Sequence, residues 1–228
     1  MAHAAVIFDL DGVLIDSEAL HYKAYSEVLA RFGISVSLEE YAVHWIAAGQ
    51  GPEYAVRTHG LHMHPDELRA LKQPVYHDIL RREVALMPGT VAALTRLQPH
   101  FALALATNSN RQDVSVVTER FDLQRFFTAM VTREDYRNAK PHPDAFLTAA
   151  TRLGMTPAAC LVVEDAERGV LAAHRAGTAV VAIPNRFTCD SDLSLATVVL
   201  PSLDALSVDL VTQLVADHQK RVRLGSPQ

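Results

Sequence analysis

The chain is poor in cysteine, and this limits the class of protein it can be. Only two cysteines, Cys160 and Cys189, occur among the 228 residues. They lie far apart in the sequence and form no Cys-x-x-Cys pair of the kind used in metal or redox sites. Such a low content argues against a disulfide scaffold and is typical of a protein from a reducing compartment. We therefore expect a cytoplasmic protein.

The chain also lacks basic clusters and long apolar segments. Its formal net charge is -5, and no run of Lys and Arg is present that could neutralise a nucleic-acid backbone. No stretch approaches the roughly 20 apolar residues of a membrane-spanning helix, and Asp9 interrupts the first apolar run too early for a signal peptide. We expect no nucleic-acid or membrane partner, and a monomer, with a weak dimer as the alternative.

What the sequence does contain is an alternation of two hydrophobic patterns. Short apolar runs rich in Val, Ile and Ala predict buried strands at 4–8, 101–106, 129–131, 160–163, 179–183 and 198–200. Segments with apolar residues every three to four positions predict helices at 91–97, 113–121, 143–153 and 167–176. Strands that alternate with helices indicate an α/β fold, a doubly wound parallel sheet of the Rossmann-like type.

One long segment interrupts this alternation. Residues 17–86 show helical periodicity without a convincing strand, and candidate helices cover 18–32, 38–47, 52–58 and 65–83. We interpret 17–86 as an inserted α-helical cap domain, and 1–16 together with 87–228 as the Rossmann-like core domain. Two linkers, near 15–17 and 87–89, join the two domains and are placed to act as hinges. The tail, 221–228, has the character of a frayed end.

Polar residues follow the first four predicted strands of the core, which is where ligands bind in doubly wound sheets. In chain order these residues are Asp9 and Asp11, then Thr107, Asn108 and Ser109, then Lys140, then Glu164 and Asp165. Each group alone has an ordinary explanation, as a turn with solvated acids, a helix cap or a lysine in a loop. Asp9 and Asp11 are two residues apart, so in an extended chain their carboxylates point to the same side.

Taken together, these residues predict a magnesium site and phosphoryl transfer. Four carboxylates share one pocket only if their pKa values rise strongly or a cation binds among them. Oxygen ligands from a few carboxylates are what Mg²⁺ prefers. Of two neighbouring acids, one can attack phosphorus while the other handles the proton of the leaving oxygen. Mg²⁺, Lys140 and the Thr107 donors would neutralise the charge of the transferred group. The expected partner is a small phosphorylated molecule.

Four ordered motifs resemble the haloacid dehalogenase superfamily, within it the branch of phosphatases and β-phosphoglucomutase-like enzymes with a helical cap. The motifs are Asp-Leu-Asp-Gly-Val-Leu-Ile-Asp-Ser, Ala-Thr-Asn-Ser, Lys-Pro-His-Pro and Val-Val-Glu-Asp-Ala-Glu-Arg-Gly, and the resemblance covers nearly the whole chain. It implies that Asp9 forms an aspartyl-phosphate, and that Asp11 is the general acid and base while its backbone carbonyl binds Mg²⁺. It also implies that Thr107 and Lys140 hold the phosphoryl oxygens. Asp165, helped directly or through water by Glu164, would complete the metal site.

The resemblance leaves two activities open, since Asp11 argues against only the dehalogenase and phosphonatase branches. His21 falls where mutase-like relatives carry a cap histidine, but phosphatases of this branch often share it. The cap loop that would read the substrate, with Gly49, Gln50 and Gly51, lacks the basic residue with which a mutase would hold a second phosphate.

Arg57 and Lys72 are the basic residues that could replace it, and we place both on solvated helix faces. We therefore expect a phosphatase, with a sugar phosphomutase as the alternative. A phosphate-binding protein without catalysis is a third possibility, and the complete set of acids argues against it.

Overall fold

The computed structural model describes residues 4–225, and within them eight strands and nine α-helices follow one another along the chain. The strands are β1 (Ala5–Phe8), β2 (Ile15–Asp16), β3 (Ala85–Leu86), β4 (Ala102–Ala106), β5 (Ala129–Val131), β6 (Cys160–Glu164), β7 (Ala179–Ala182) and β8 (Val198–Val199). The helices are α1 (Glu18–Ala30), α2 (Leu38–Tyr41), α3 (Gly51–Thr58), α4 (Pro65–Glu83), α5 (Thr90–Leu97), α6 (Arg111–Arg120), α7 (Asp144–Arg152), α8 (Glu167–Ala176) and α9 (Val208–Arg223). α2 continues as a π-helix over Ala42–Ala47.

Six strands form a parallel sheet in the order β5-β4-β1-β6-β7-β8. β1 is near the centre, where Ala5 pairs with Ala102 on one side and with Cys160 on the other. Side chains alternate between the two faces of the strand: Val6 and Phe8 enter one hydrophobic cluster, while Ala5 and Ile7 enter a second. The predicted doubly wound α/β fold is therefore confirmed, and burial on both faces explains why β1 is apolar at every position.

A short ribbon lies at the first predicted linker and just before the second, which we placed near 87–89. β2 and β3 pair antiparallel, with Ile15 opposite Leu86 and Asp16 opposite Ala85. β3 is thus a strand within the stretch that we expected to be purely helical. Its two residues are too few to give a periodic signal in the sequence. The hinge role of this ribbon stays a prediction.

α9 is the one long helix that the sequence reading missed. It covers Val208–Arg223, and it packs Val211 and Val215 against the larger hydrophobic cluster. The expectation of a frayed tail was wrong for residues 221–223, which form the last turn of this helix; basic side chains there oppose the partial negative charge of the helix end. Residues 226–228 lie outside the described part of the chain. None of the helices in 4–225 combines the length and apolar composition needed to cross a bilayer.

Helices α1 to α4, which we call the helical insertion, lie between β2 and β3. They share a hydrophobic cluster that includes Val28, Tyr41 and Leu68. However, other residues of the same helices, such as Leu20 of α1 and Leu80 of α4, belong to the cluster beside the sheet. Apolar packing is therefore continuous between the insertion and the sheet. The division into a cap domain and a core domain stays a prediction.

This shared packing predicts a difference between two leucines of α4. Leu80 is fully buried beside the sheet, whereas Leu71 is 40% exposed. We expect Leu80→Ala to lower the free energy of unfolding by about 2 to 5 kcal/mol, because it removes buried methyl groups and leaves a cavity. Leu71→Ala should change it by less than about 0.5 kcal/mol. Urea denaturation followed by circular dichroism measures both, and equal losses would contradict the packing described.

Candidate active site

The carboxyl ends of three neighbouring strands bring the predicted acids together. β1 lies between β4 and β6 in the parallel sheet, so residues that follow these strands emerge side by side. Asp9 follows β1, Thr107 follows β4, and Glu164 ends β6. All three are buried, as is Asp165. Four side chains from three distant segments of the sequence thus meet at one edge of the sheet, as the strand pattern predicted.

Lys140 holds two of these acids. It comes from the segment between β5 and α7 and is only 4% exposed. Its ammonium donates to Asp9 Oδ1 at 2.6 Å, to Glu164 Oε1 at 2.7 Å and to the Ala106 carbonyl at 3.0 Å. All three ammonium donors are therefore used, which is the condition under which a buried lysine stays charged.

Burial and mutual repulsion raise the pKa values of Asp9 and Asp165 above their usual range. Burial raises the pKa of Asp9 to about 8, against the lowering effect of the Lys140 charge and with a further rise from Glu164 and Asp11. Burial, Glu164 and Asp9 raise the pKa of Asp165 well above its usual value. Burial alone would lower the pKa of Lys140, but the charges of Asp9 and Glu164 raise it. One ammonium does not balance this group of carboxyls.

The same group fits a metal ion. Asp9, Glu164 and Asp165 each offer one carboxylate oxygen, and these oxygens lie within 4.8 Å of one another. Such a set contains only hard oxygen donors, which suits Mg²⁺ rather than a softer metal. The Asp11 carboxylate is not part of this set among the described residues; its predicted contribution is the backbone carbonyl, and that stays a prediction.

Asp11 has a different environment from Asp9. Its carboxylate accepts hydrogen bonds from Ser17 Oγ at 2.6 Å and Ser109 Oγ at 2.5 Å, and His21 Nε2 lies 3.9 Å away. Burial would raise the pKa of Asp11, but His21 and the two hydroxyls hold it well below its usual range. At 3.9 Å the contact between His21 Nε2 and the Asp11 carboxylate is too long for a hydrogen bond. The surroundings therefore shift the pKa values of the two acids of the Asp-x-Asp motif in opposite directions.

The segment after β4 turns back on the site. Thr107 Oγ1 accepts from the Ser109 backbone N–H at 3.0 Å and lies 3.4 Å from Asp11 Oδ2. Asn108 Oδ1 accepts from the Tyr136 hydroxyl at 2.8 Å and from the Lys140 backbone N–H at 3.2 Å. Asn108 therefore ties this segment to the loop that carries Lys140. Its predicted contact with phosphate stays a prediction.

A cavity of about 220 Å³, which we call the strand-end cavity, opens onto these groups. Its walls from the sheet side include Asp9, Asp11, Thr107, Asn108, Lys140, Glu164, Asp165 and Arg168, and its walls from the helical insertion are Glu18, Trp45 and Ile46. Trp45 also stacks on Tyr41, with ring centroids 5.3 Å apart, so it serves both as packing and as cavity wall. The insertion therefore covers part of the site.

The predicted substrate loop is placed differently from our expectation. Within the described residues, Gly49, Gln50 and Gly51 do not line the strand-end cavity. Gln50 is exposed, and Gly51 packs so closely on Trp45 that a Cβ there would lie 2.1 Å from the indole ring. Their contact with a substrate stays a prediction.

The expectation for Lys72 was wrong, while the expectation of exposure holds for Arg57. Lys72 is 6% exposed; its ammonium lies 2.6 Å from His21 Nδ1 and 3.7 Å from the centroid of the Tyr76 ring. Burial lowers the pKa of Lys72 to about 8. Helical periodicity missed this because α4 is contacted by α1 and α6 as well as α3, so few of its faces meet water. Lys72 thus supports His21, which in turn faces Asp11.

Sequence reasoning also missed Asn185, which follows β7. Its Nδ2 donates to Asp165 Oδ2 at 2.8 Å and lies 3.4 Å from the Gly12 carbonyl. Thr188 Oγ1 lies 3.5 Å from the same carboxylate oxygen. These contacts orient Asp165, as groups behind a metal ligand commonly do. The strand-end rule would have identified Asn185 had it been applied to the fifth core strand.

Gly12 makes this arrangement possible and predicts a measurable contrast with Gly154. Both glycines have positive φ, 77° and 67°. A Cβ on Gly12 would lie 2.2 Å from Asp165 Oδ2, whereas nothing lies within 4 Å of one on Gly154. We expect Gly154→Ala to cost about 1 kcal/mol of stability from backbone strain alone. Gly12→Ala should cost about 1 to 3 kcal/mol more. Urea unfolding of both variants provides the test, and equal costs would refute the close approach.

Comparison with known proteins agrees with this site. A family model described as haloacid dehalogenase-like hydrolase matches residues 6–183. Protein CbbY of Rhodobacter capsulatus is 30% identical over 222 residues, which cover 92% of this chain and 98% of that protein. The phosphorylated carbohydrates phosphatase of Thermotoga maritima is 32% identical over 177 residues, covering 76% and 81%. Further relatives are also named as phosphatases.

A solved structure supports the fold independently. CbbY from Rhodobacter sphaeroides, crystallised in complex with phosphate, superposes with a TM-score of 0.80 at 23% identity, over 93% of this chain and all of that one. At this level of identity the likeness concerns the fold. The family model and the relatives of 30% identity or more concern the sequence itself, and together they establish that the chain belongs to the haloacid dehalogenase-like hydrolase family.

Proposed function

We propose that this enzyme, a phosphatase, hydrolyses a small phosphorylated metabolite with Mg²⁺ through an aspartyl-phosphate on Asp9. The observation that carries the proposal is the contact of the Lys140 ammonium with Asp9 and Glu164, at 2.6 and 2.7 Å, beside Asp165. This group combines a nucleophile with an unbalanced negative charge that a divalent cation would offset. The names of the phosphatase relatives support phosphate esters as substrates, and that of the Thermotoga maritima protein supports a phosphorylated carbohydrate or similar compound.

The two acids would divide the reaction between them. In the first step an Asp9 oxygen attacks phosphorus, the bond from phosphorus to the leaving oxygen breaks, and that oxygen takes a proton from Asp11. In the second step a water molecule attacks the phosphorus of the aspartyl-phosphate and gives its proton to Asp11. The bond between phosphorus and the Asp9 oxygen breaks, inorganic phosphate leaves, and both side chains are restored. The low pKa of Asp11 suits the second step. For the first step Asp11 has to be protonated as the substrate enters.

The remaining residues would hold charge and position. Lys140 and Thr107 are placed to donate to oxygens of the transferred group, whose charge spreads during transfer. Mg²⁺ bound by Asp9, Glu164 and Asp165 would neutralise part of that charge. A cation there also favours the ionised form of Asp9, whose pKa burial raises to about 8. Asn185 would keep Asp165 turned toward the ion.

The helical insertion is proposed to act as a cap. Glu18, Trp45 and Ile46 reach the strand-end cavity from the insertion, and the β2–β3 ribbon joins the insertion to the sheet. Covering the cavity would exclude bulk water during transfer and bring specificity residues to the leaving group. We propose a cytoplasmic location, in line with the low cysteine content.

The mechanism predicts that Asp9→Asn abolishes turnover while the fold is retained. Asparagine has nearly the same shape but cannot attack phosphorus, so hydrolysis of p-nitrophenyl phosphate should fall by at least about 10³-fold. Asp78→Asn is the control, because Asp78 is 67% exposed and pairs with Arg82 on the surface. EDTA should abolish wild-type turnover, and added Mg²⁺ should restore it. Normal turnover by Asp9→Asn, or full activity in EDTA, would refute the mechanism.

The phosphomutase alternative makes a distinct prediction. Supplied with β-glucose 1-phosphate and a trace of glucose 1,6-bisphosphate, a mutase forms glucose 6-phosphate, whereas a phosphatase releases inorganic phosphate. We expect phosphate release without isomer, measured by a coupled glucose 6-phosphate dehydrogenase assay beside a phosphate assay. The isomer as the main product would favour the mutase.

A further inference from the structure

Arg168 is a cation of the strand-end cavity for which the proposed mechanism has no use. It lies in the first turn of α8 and lines the cavity together with Asp9 and Lys140. One guanidinium nitrogen, Nη2, donates to the Lys140 carbonyl at 2.8 Å. A guanidinium has five N–H donors, so one such bond leaves most of them available. The side chain is exposed and can meet a ligand that enters the cavity.

The charge of Arg168 is not offset by a neighbouring acid. Among residues 4–225, no carboxylate oxygen lies within 4.0 Å of its guanidinium, whereas the Lys140 ammonium contacts two carboxylates. Lys72 is also close to the site, but it is buried against His21 and does not line the cavity. Arg168 is therefore the one permanent cation that lines this cavity, within the described residues, without an ion-pair partner.

Arg168 also meets the loop that we expected to read the substrate. A Cβ added to Gly49 would lie 2.3 Å from Arg168 Nη1. The absence of a side chain at Gly49 thus leaves room for the guanidinium beside the loop. The sequence of that loop contains no basic residue, and the structure places a basic residue from α8 against it. The sheet side therefore supplies the positive charge that this loop lacks.

Glu18, on the insertion side of the cavity, limits where a negative group of a ligand can bind. Glu18, from α1, lines the cavity from the insertion, and its carboxylate accepts from the Tyr41 hydroxyl at 2.7 Å. An anionic group near Glu18 would be repelled, while one near Arg168 would gain charge-assisted hydrogen bonds. The fork of the guanidinium matches the paired oxygens of a carboxylate or a phosphate.

We infer that Arg168 binds a second anionic group of the substrate, a carboxylate or a phosphate, apart from the phosphoryl group that is transferred. This inference rests on the proposed phosphatase function, because it assigns the class of leaving group to the same cavity. It distinguishes the substrate from neutral phosphorylated sugars. The alternative role for Arg168 is structural, as a link between the Lys140 loop and the insertion.

Three two-carbon phosphate esters separate these roles. They are 2-hydroxyethyl phosphate, which carries a neutral tail, glycolate 2-phosphate, which carries a carboxylate, and ethane-1,2-diol bisphosphate, which carries a second phosphate. Calorimetric titration in the Asp9→Asn background with Mg²⁺ measures binding without turnover. We expect at least one of the charged esters to bind about tenfold or more tighter than the neutral ester, because charge-assisted hydrogen bonds form at Arg168. The charged ester that binds more tightly shows whether Arg168 prefers a carboxylate or a second phosphate.

Arg168→Gln in the same background should bring the ratio of the affinity for the preferred charged ester to that for the neutral ester close to one. Binding of the neutral ester should stay unchanged. Arg168→Lys should keep part of the preference, since it keeps the charge but loses the fork. Arg175→Gln is the matched control: Arg175 lies on the same helix and donates to the Pro141 carbonyl at 3.0 Å, but it does not line the cavity. The ratio should stay at its original value in that variant.

Three results of these titrations would contradict the role of Arg168 in binding an anionic group. Equal affinity for neutral and charged esters before substitution, an unchanged ratio in Arg168→Gln, or an equal loss for all three esters would overturn the inference. An equal loss would indicate the structural role. Failure of the proposed function is detected separately, in the protein with Asp9 intact, as absence of Mg²⁺-dependent hydrolysis of 2-hydroxyethyl phosphate and p-nitrophenyl phosphate.

Discussion

The ammonium of Lys140 lies between Asp9 and Glu164 in the interior, and the character of the site follows from the imbalance around it. One positive charge faces two carboxylates, and Asp165 lies close to both. Removing any one of these charges from water costs several kcal/mol, so each must be compensated. Lys140 compensates part, and the rest appears as raised pKa values of Asp9 and Asp165. A site of this kind offers the oxygen ligands that a hard divalent cation prefers.

A second set of contacts links this charge group to the helical insertion. Ser17, at the start of α1, donates to Asp11, and His21 faces Asp11 with Lys72 behind it. Next to Lys72 on α4, Gln73 and His77 contact Asp113 of α6, the helix that follows the Thr107 segment. Asp11 is thus surrounded by groups from both parts of the chain. Any shift of the insertion would alter the hydrogen bonds that keep Asp11 ionised.

Much of the fold and the centre of the site could be predicted from sequence because they follow from local patterns and one topological rule. The apolar run before Asp9 and the run before Glu164 are recognisable as strands by composition alone. Parallel strands place the residues that follow them at one edge. Asn185 follows β7 and obeys the same rule, which also predicts a polar site residue after that strand. Lys72 and Gly49 obey no such rule, because the face that a helix or loop presents depends on its neighbours.

By itself, the sequence determined the alternation of strands and helices, the position of the insertion and the set of acids at the strand ends. These depend on periodicity within a few residues and on strand order. Only the tertiary structure decided which partners the site residues have. Lys140 contacts Asp9, 131 residues away, and Asn185 contacts Asp165. Arg168 lies beside Gly49, with no carboxylate partner in the part of the chain that the structure describes. The reason is that ionisation and burial are properties of contacts between distant segments, and a linear pattern does not contain those contacts.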